Sequence, residues 1–406
     1  MICQRFDARR SFLVFSMLLK NKSRSFTPEV RVSFFYFIQA MSVGVVNAFA
    51  GIWLNSIGIT ASQTGVIFAA PVALILIVGS YVGRLADRAT DWRTVIVRGA
   101  ILSALLPVLL FAAQGFWGVL IVWTLAVTSQ MAILPVTDAA ALRMSRRRGN
   151  DFSRYYAWKT FGYLLIVVLS GFLLSEFGAQ IFLPLFIGFS ILRGVAALGL
   201  PKFRSYTLTT ASTKNLQKSF NIWQPWFVLP LVAWSLVHCT HFLLSGFVGL
   251  FWYQQGLSEF SIGVLIAVSA SSETIMFLVF KQFLRCVSAR LLILVSCLVA
   301  TLRWILLSLE PGFEVLVLVQ ILHAFTYALG FLACTNFIAD WTGEEIAAEA
   351  QSFFVVLQSA TAICALTSFG WLSQAIGAKA FMGTAGLAFI GSLLVLMSMV
   401  LRNSRT

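Results

Sequence analysis

Charge is what this chain most lacks. Only 11% of its 406 residues are Asp, Glu, Lys or Arg, where soluble domains carry about 25%. Acidic residues are scarcest, 15 against 29 Lys+Arg, and there are three histidines. In their place stand 59% hydrophobic residues, 37 Phe among the chain's aromatics, and a mean hydropathy of +0.89. No water-soluble domain hides that much apolar surface, so the composition excludes a soluble enzyme, a nucleic-acid-binding domain and a disordered tail protein. The six cysteines (Cys3, Cys239, Cys286, Cys297, Cys334, Cys364) include no pair at metal-ligand or redox spacing, and most sit in apolar runs as small core hydrophobes. A glycine-rich nucleotide loop is missing, which excludes ATP hydrolysis as an energy source. No nucleophile–base pair or metal cluster falls within the apolar runs, so neither an enzyme nor a cofactor is implied.

A membrane span needs about 20 apolar residues. Twelve such runs can be cut from the chain, at 32–54, 64–82, 95–113, 115–135, 157–175, 181–200, 226–250, 261–279, 291–309, 314–337, 352–372 and 380–401. With the N-terminus inside, the inner segments gather nearly every Lys and Arg, and the outer loops hold one cation, Lys379. The positive-inside rule then puts both termini in the cytoplasm, and the net charge of +14 reports topology rather than a polyanionic partner. The short apolar stretch Phe12 to Leu19 is too brief to span and has no cleavage site after it. Residues 1–30 therefore read as a cytoplasmic N-terminal extension, disordered or lying on the surface, with Met17 as a candidate start.

The chain repeats itself. Trp53-Leu54-Asn55-Ser56-Ile57-Gly58-Ile59-Thr60, followed by Gly65-Val66-Ile67, is echoed by Trp252-Tyr253-Gln254-Gln255-Gly256-Leu257-Ser258, followed by Gly263-Val264-Leu265. Both glycine pairs are offset by 198 residues, about half the chain. The expected architecture is an all-α membrane protein of 12 transmembrane helices in two six-helix bundles, residues 31–200 and 226–402, joined by a cytoplasmic linker at 201–225. Repeats of this kind place a substrate cleft at their interface.

Gly83-Arg84-Leu85-Ala86-Asp87-Arg88, between runs two and three, resembles the signature loop of the major facilitator superfamily. Within it, Trp53-Leu54 with Ile57-Gly58-Ile59-Thr60, Leu134-Pro135-Val136-Thr137-Asp138-Ala139, Lys159-Thr160-Phe161-Gly162 and Gln320-Ile321-Leu322-His323-Ala324 are similar to the phenylpropionate permease branch, which itself resembles sugar and nucleoside proton symporters. The resemblance covers nearly all of residues 31–400. Two departures bear on substrate: Ala48-Phe49 stands in place of Pro-Phe, and Lys159 in place of Arg. The resemblance gives Gly83, Asp87 and Arg88 a gating role, with Asp87 near the inner start of run eleven, where the helix dipole favours an anion. The acidic cluster Asp340, Glu344, Glu345 and Glu349 after run ten stands at the position equivalent to the basic Arg143, Arg146, Arg147 and Arg148 after run four. It reads either as a second latch or as a solvated face.

A charge inside a span costs a few kcal/mol or more and persists mainly where it has a task. Asp138, Arg193, Glu273 and Arg303 qualify, with Lys159 at the start of run five and the histidines His238, His241 and His323. Glu273 lies about 18 Å below the outer end of run eight, near the midplane, and is either a proton carrier or a permanently paired carboxylate. His323 either shares that proton or a substrate oxygen, or is a satisfied core histidine. Carboxylate on helix eight, Arg on nine and His on ten is similar to the lactose-permease-like symporters, except that Thr326 stands where that family has a second carboxylate. The coupling acid is then Glu273 or Asp138. Arg303 can bridge Glu273 or receive a substrate carboxylate. Asp138 and Lys159 are expected to pair across runs four and five, Arg193 to snorkel to the interface, and His238 and His241 to make a poor metal site. Tyr36, Gln39, Asn47 and Tyr327 are candidate cleft residues. An aromatic-lined cavity with one or two cations suits a small aromatic acid.

The reading is a monomeric, multi-pass secondary transporter of the inner membrane that moves a proton with a small organic solute, an aromatic carboxylate such as 3-phenylpropionate being favoured. A nucleoside or sugar symporter, and a membrane sensor that binds without translocating, are the alternatives.

Overall fold

The structure is a computed structural model describing residues 27–203, 223–342 and 344–403. Most of the expected N-terminal extension and linker, residues 1–26 and 204–222, lies outside these. Among the described residues there is no strand. Helices α1 to α6 span Pro28–Ser56, Ala61–Arg88, Trp92–Phe111, Gly115–Arg148, Ser153–Phe177 and Ala179–Leu198. Helices α7 to α12 span Pro225–Gln254, Glu259–Cys286, Ala289–Ser308, Phe313–Trp341, Glu344–Ile376 and Phe381–Asn403. Among the described residues eleven candidate membrane spans result, because the last, Glu349–Arg402, runs through α11 and α12 and is broken only at Gly377–Ala380.

Every apolar run falls on a helix, but several helices outlast their runs. α2 continues to Arg88 and α4 to Arg148. Gly83 to Arg88, expected as a loop, therefore forms the last turns of α2. Hydropathy marks only the part of a helix that suits hydrocarbon, whereas its hydrogen bonds continue into water. Local signals set the ends. Thr60 and Gln63 form a capping box at the start of α2, and Thr27, Asp91 and Ser288 cap α1, α3 and α9 with side-chain oxygens.

The sequence repeat has a backbone cause. Gly58 and Gly256 end α1 and α7 with φ of 82° and 91°, a region that favours glycine. Beyond each, the next amide reaches back to an equivalent carbonyl, Ile59 to Leu54 and Leu257 to Trp252, both at 3.0 Å. This is the Schellman closure, made twice.

Packing repeats as well. α1 lies against α5 and α6, α2 against α4, and α3 against α4 and α6; likewise α7 lies against α11 and α12, α8 against α10, and α9 against α10 and α12. Across the two sets, α2 meets α11 and α5 meets α8. At the end away from the basic segments, backbones touch directly. A side chain at Gly51 would strike the carbonyl of Gly246, and one at Gly249 the carbonyl of Ala48. Gly65 likewise abuts Leu366, and Gly263 abuts Val167. At the basic end, Glu29 of α1 accepts from Arg148 at 2.9 Å and Asn150 at 3.1 Å, tying α1 to the end of α4.

Candidate functional site

Two polar clusters lie inside the bundle, one along the middle of α7 to α10 and one nearer the basic ends of α1, α4 and α5. The first is built on α7 to α10. Arg303 of α9 is fully buried and donates to five acceptors on its neighbours: the Val319 carbonyl (3.1 Å), Gln320 Oε1 (3.2 Å), Thr326 Oγ1 (3.1 Å), His323 Nδ1 (3.1 Å) and, more distantly, His241 Nε2 (3.4 Å). All are neutral. A guanidinium has only donors, so His323 must offer a lone pair at Nδ1 and carry its hydrogen on Nε2, which lies 3.4 Å from Glu273 Oε2. A direct Arg303–Glu273 bridge, one of the two readings open from the sequence, is thus replaced by an imidazole standing between them.

His241 adopts the opposite tautomer. Its Nδ1 donates to the Val237 carbonyl at 2.9 Å, leaving Nε2 to accept from Thr326 at 3.0 Å. Tyr327 stacks on His323 and on His238, with ring centroids 5.4 and 5.7 Å apart, and Trp234 stacks on His238 at 4.8 Å. This aromatic column runs along α7 and α10 beside the charged chain. Both helices contain a π-turn next to it, Leu244–Val248 and Ala324–Leu329. A π-turn shifts the register of the following side chains, here keeping Thr326 and Tyr327 beside His323, and such turns are frequent at functional sites.

The second cluster joins α1, α4 and α5. Asp138 accepts from Tyr36 Oη at 2.6 Å and from Tyr156 Oη at 2.8 Å, one bond to each carboxylate oxygen. Lys159 does not bridge to Asp138 as expected. Its ammonium lies over the Tyr156 ring, 4.7 Å from the centroid, within electrostatic reach of both Asp138 and Glu273. The two phenols already occupy the carboxylate, so the cation is left between the clusters. Tyr163, one turn along α5, lies within electrostatic reach of Asn47 of α1 and of Glu273. Gln39 is buried with Oε1 unbonded among the described residues.

Arg193 does not snorkel. It is fully buried and donates to the Ser103 carbonyl (3.0 Å), Ser103 Oγ (2.9 Å) and Ser42 Oγ (3.3 Å), so it pins α6 to α3 and α1. The socket takes up the two terminal nitrogens and leaves Nε without a partner among the described residues. Asp87 is exposed and makes no ion pair or hydrogen bond among the described residues; the side chains of Glu344 and Glu345 lie outside them.

Reading the sequence misses Tyr156, Tyr163 and the joint role of His241 and Thr326. Helical spacing holds part of the signal: Tyr156, Lys159 and Tyr163 share one face of α5, as His323 and Thr326 do on α10.

Known proteins share this framework. The chain is 26% identical over 381 residues to the "Probable 3-phenylpropionic acid transporter" of Escherichia coli (strain K12), covering 90% of this chain and 95% of that one. It is 24% identical over 285 residues to the maltose permease of Geobacillus stearothermophilus, covering 68% and 70%. Among solved structures, the nucleoside transporter NupG superposes with a TM-score of 0.78 at 15% identity, covering 92% of this chain and 99% of that one. A bacterial homolog of the human lysosomal transporter Spinster, inward-facing and occupied, gives 0.70 at 15% identity, covering 97% and 98%. At these identities the structures speak for the fold alone. Residues 29–383 match the MFS_1 like family, and the chain belongs to it: a multi-pass membrane transporter of the major facilitator type, and not an enzyme.

Proposed function

We propose that the protein is a proton-coupled symporter of a small aromatic carboxylate, 3-phenylpropionate being the first candidate. The observation that carries this reading is Arg303, a buried cation held only by neutral acceptors and joined through His323 to Glu273. Such a cation has no anionic partner of its own and would exchange a neutral acceptor for a substrate carboxylate, while Glu273 takes the proton; Asp138 is the second coupling candidate. Tyr327 and the rings beside it suit an aromatic body. Lys159, Tyr36, Gln39 and Asn47 contribute from the other half. The similarity to the Escherichia coli protein supports the same substrate class.

In this reading the chain crosses the inner membrane twelve times, as a monomer of two six-helix bundles with both termini cytoplasmic. The glycine contacts close the outer end, and Gly83, Asp87 and Arg88 serve the inner gate. Counterflow in proteoliposomes tests it: labelled 3-phenylpropionate should exchange against the unlabelled acid. Exchange of maltose or a nucleoside instead would move the assignment to a neutral solute, a reading that the maltose permease similarity favours. Binding without exchange would indicate a sensor.

A further inference from the structure

Counting the ionised groups around the cleft restricts what can cross. Asp138 spends each oxygen as an acceptor for a phenolic hydroxyl, at 2.6 and 2.8 Å, the pattern of an ionised carboxylate. Arg303 is a permanent cation. Lys159 holds its ammonium over the ring of Tyr156, the residue whose hydroxyl bonds Asp138, and α5 that carries it packs on α8 that carries Glu273. The histidines add no charge. His323 accepts from Arg303 at Nδ1 and His241 accepts at Nε2, so neither carries a second hydrogen, and the Nδ1 of His238 is buried with no acceptor beside it. His323 then has one N–H, at Nε2, and Glu273 is its acceptor.

The groups facing Glu273 from its neighbours are Lys159 and Tyr163 of α5 and His323 and Tyr327 of α10, of which Lys159 alone is charged. Arg193 stands apart, its bonds all made to Ser42 and Ser103. The empty site thus holds two cations and two carboxylates, and its sum is zero. Unbalanced charge is costly at this depth, so the loaded site must also sum to zero if it is to reorient.

We infer that the transporter carries a monoanion with a single proton and moves no net charge, because the four-group site of Asp138, Lys159, Glu273 and Arg303 stays neutral only when one bound anion is matched by one proton on Glu273. The inference rests on the symport reading above. A neutral solute with its proton would leave the site positive. A dianion would need a second proton, and the remaining carboxylate, Asp138, is engaged by two phenols.

The test separates the two driving forces in proteoliposomes, with 3-phenylpropionate as probe. A pH gradient with the potential clamped by valinomycin and equal potassium should drive accumulation, about tenfold per pH unit. An inside-negative potential of about 100 mV without a pH gradient should drive none, although each net charge moved would be worth roughly 50-fold. Accumulation driven by that potential would mean more than one proton per anion and would overturn the inference. Expulsion by it would mean an anion crossing without a proton, and would overturn it equally. Glu273→Gln supplies a second arm: its empty site carries one positive charge and its loaded site none. By the same reasoning only its loaded form reorients, so the variant should keep counterflow, now independent of pH, and lose net uptake, while net uptake driven by a pH gradient would overturn the inference; the wild-type arm decides the matter if the variant does not fold. Wild-type counterflow distinguishes the two levels. Its absence removes the symport reading and this inference with it, whereas counterflow with potential-driven uptake removes the inference alone.

Discussion

The Nη1 of Arg303 lies 3.1 Å from Nδ1 of His323, and this contact dictates where the hydrogen on the imidazole sits. Since the guanidinium can only donate, the histidine presents Nε2–H toward Glu273, while His241, whose ring centroid is 5.2 Å away, carries its hydrogen on Nδ1. With three histidines in the chain, nitrogen-15 NMR of histidine-labelled protein can resolve them. Two neutral rings of opposite tautomer are expected at neutral pH. A pair of imidazolium signals would contradict the arrangement.

Glu273→Gln should abolish accumulation driven by a pH gradient while leaving counterflow in place, because exchange does not require the proton to leave. The variant keeps the shape and an acceptor oxygen for His323. Accumulation at the wild-type level would assign coupling elsewhere, with Asp138 the next residue to replace.

Arg303→Lys preserves charge and loses the planar fork that reaches Val319, Gln320, Thr326 and His323 together. Binding of a carboxylate should weaken by roughly ten- to hundredfold, the worth of a charge-assisted hydrogen bond, and a neutral analogue should lose much less. Calorimetric titration of the acid and its amide compares the two. Equal losses would point to a neutral substrate.

Gly51→Val puts a branched side chain against the carbonyl of Gly246. The two backbones cannot then meet, so the end away from the basic segments should stay parted and transport should slow. Labelling of an Ala48→Cys probe by an impermeant reagent added on that side should rise several-fold. Unchanged labelling would mean the contact is not part of a gate.

Asp87 has no partner among the described residues in this arrangement. If it latches the inner ends when they close, Asp87→Asn should bias the population toward the inward-open form and slow transport while ligand binding persists. Cytoplasmic-side labelling no greater than in the parent would place the latch elsewhere.

Read alone, the sequence already determined the class of this protein. Apolar runs, the rarity of charge and the 198-residue repeat are local or additive properties of the chain, and each run falls on a helix. The ends of α1 and α7 were also legible, since Gly58 and Gly256 are needed for a left-handed turn. Glu273, Arg303 and His323 stood out because a polar group in an apolar run is costly. What each one touches was not legible. Whether Arg303 meets a carboxylate or an imidazole depends on how α7, α9 and α10 pack and on a π-turn that no local signal announces. Asp138 binds Tyr36 across 102 residues in place of Lys159, and Arg193 found a socket of serines inside the bundle rather than an aqueous interface. Such contacts join segments far apart in the chain, where competing partners of similar chemistry are separated by an ångström or two, and only tertiary packing resolves a difference that small.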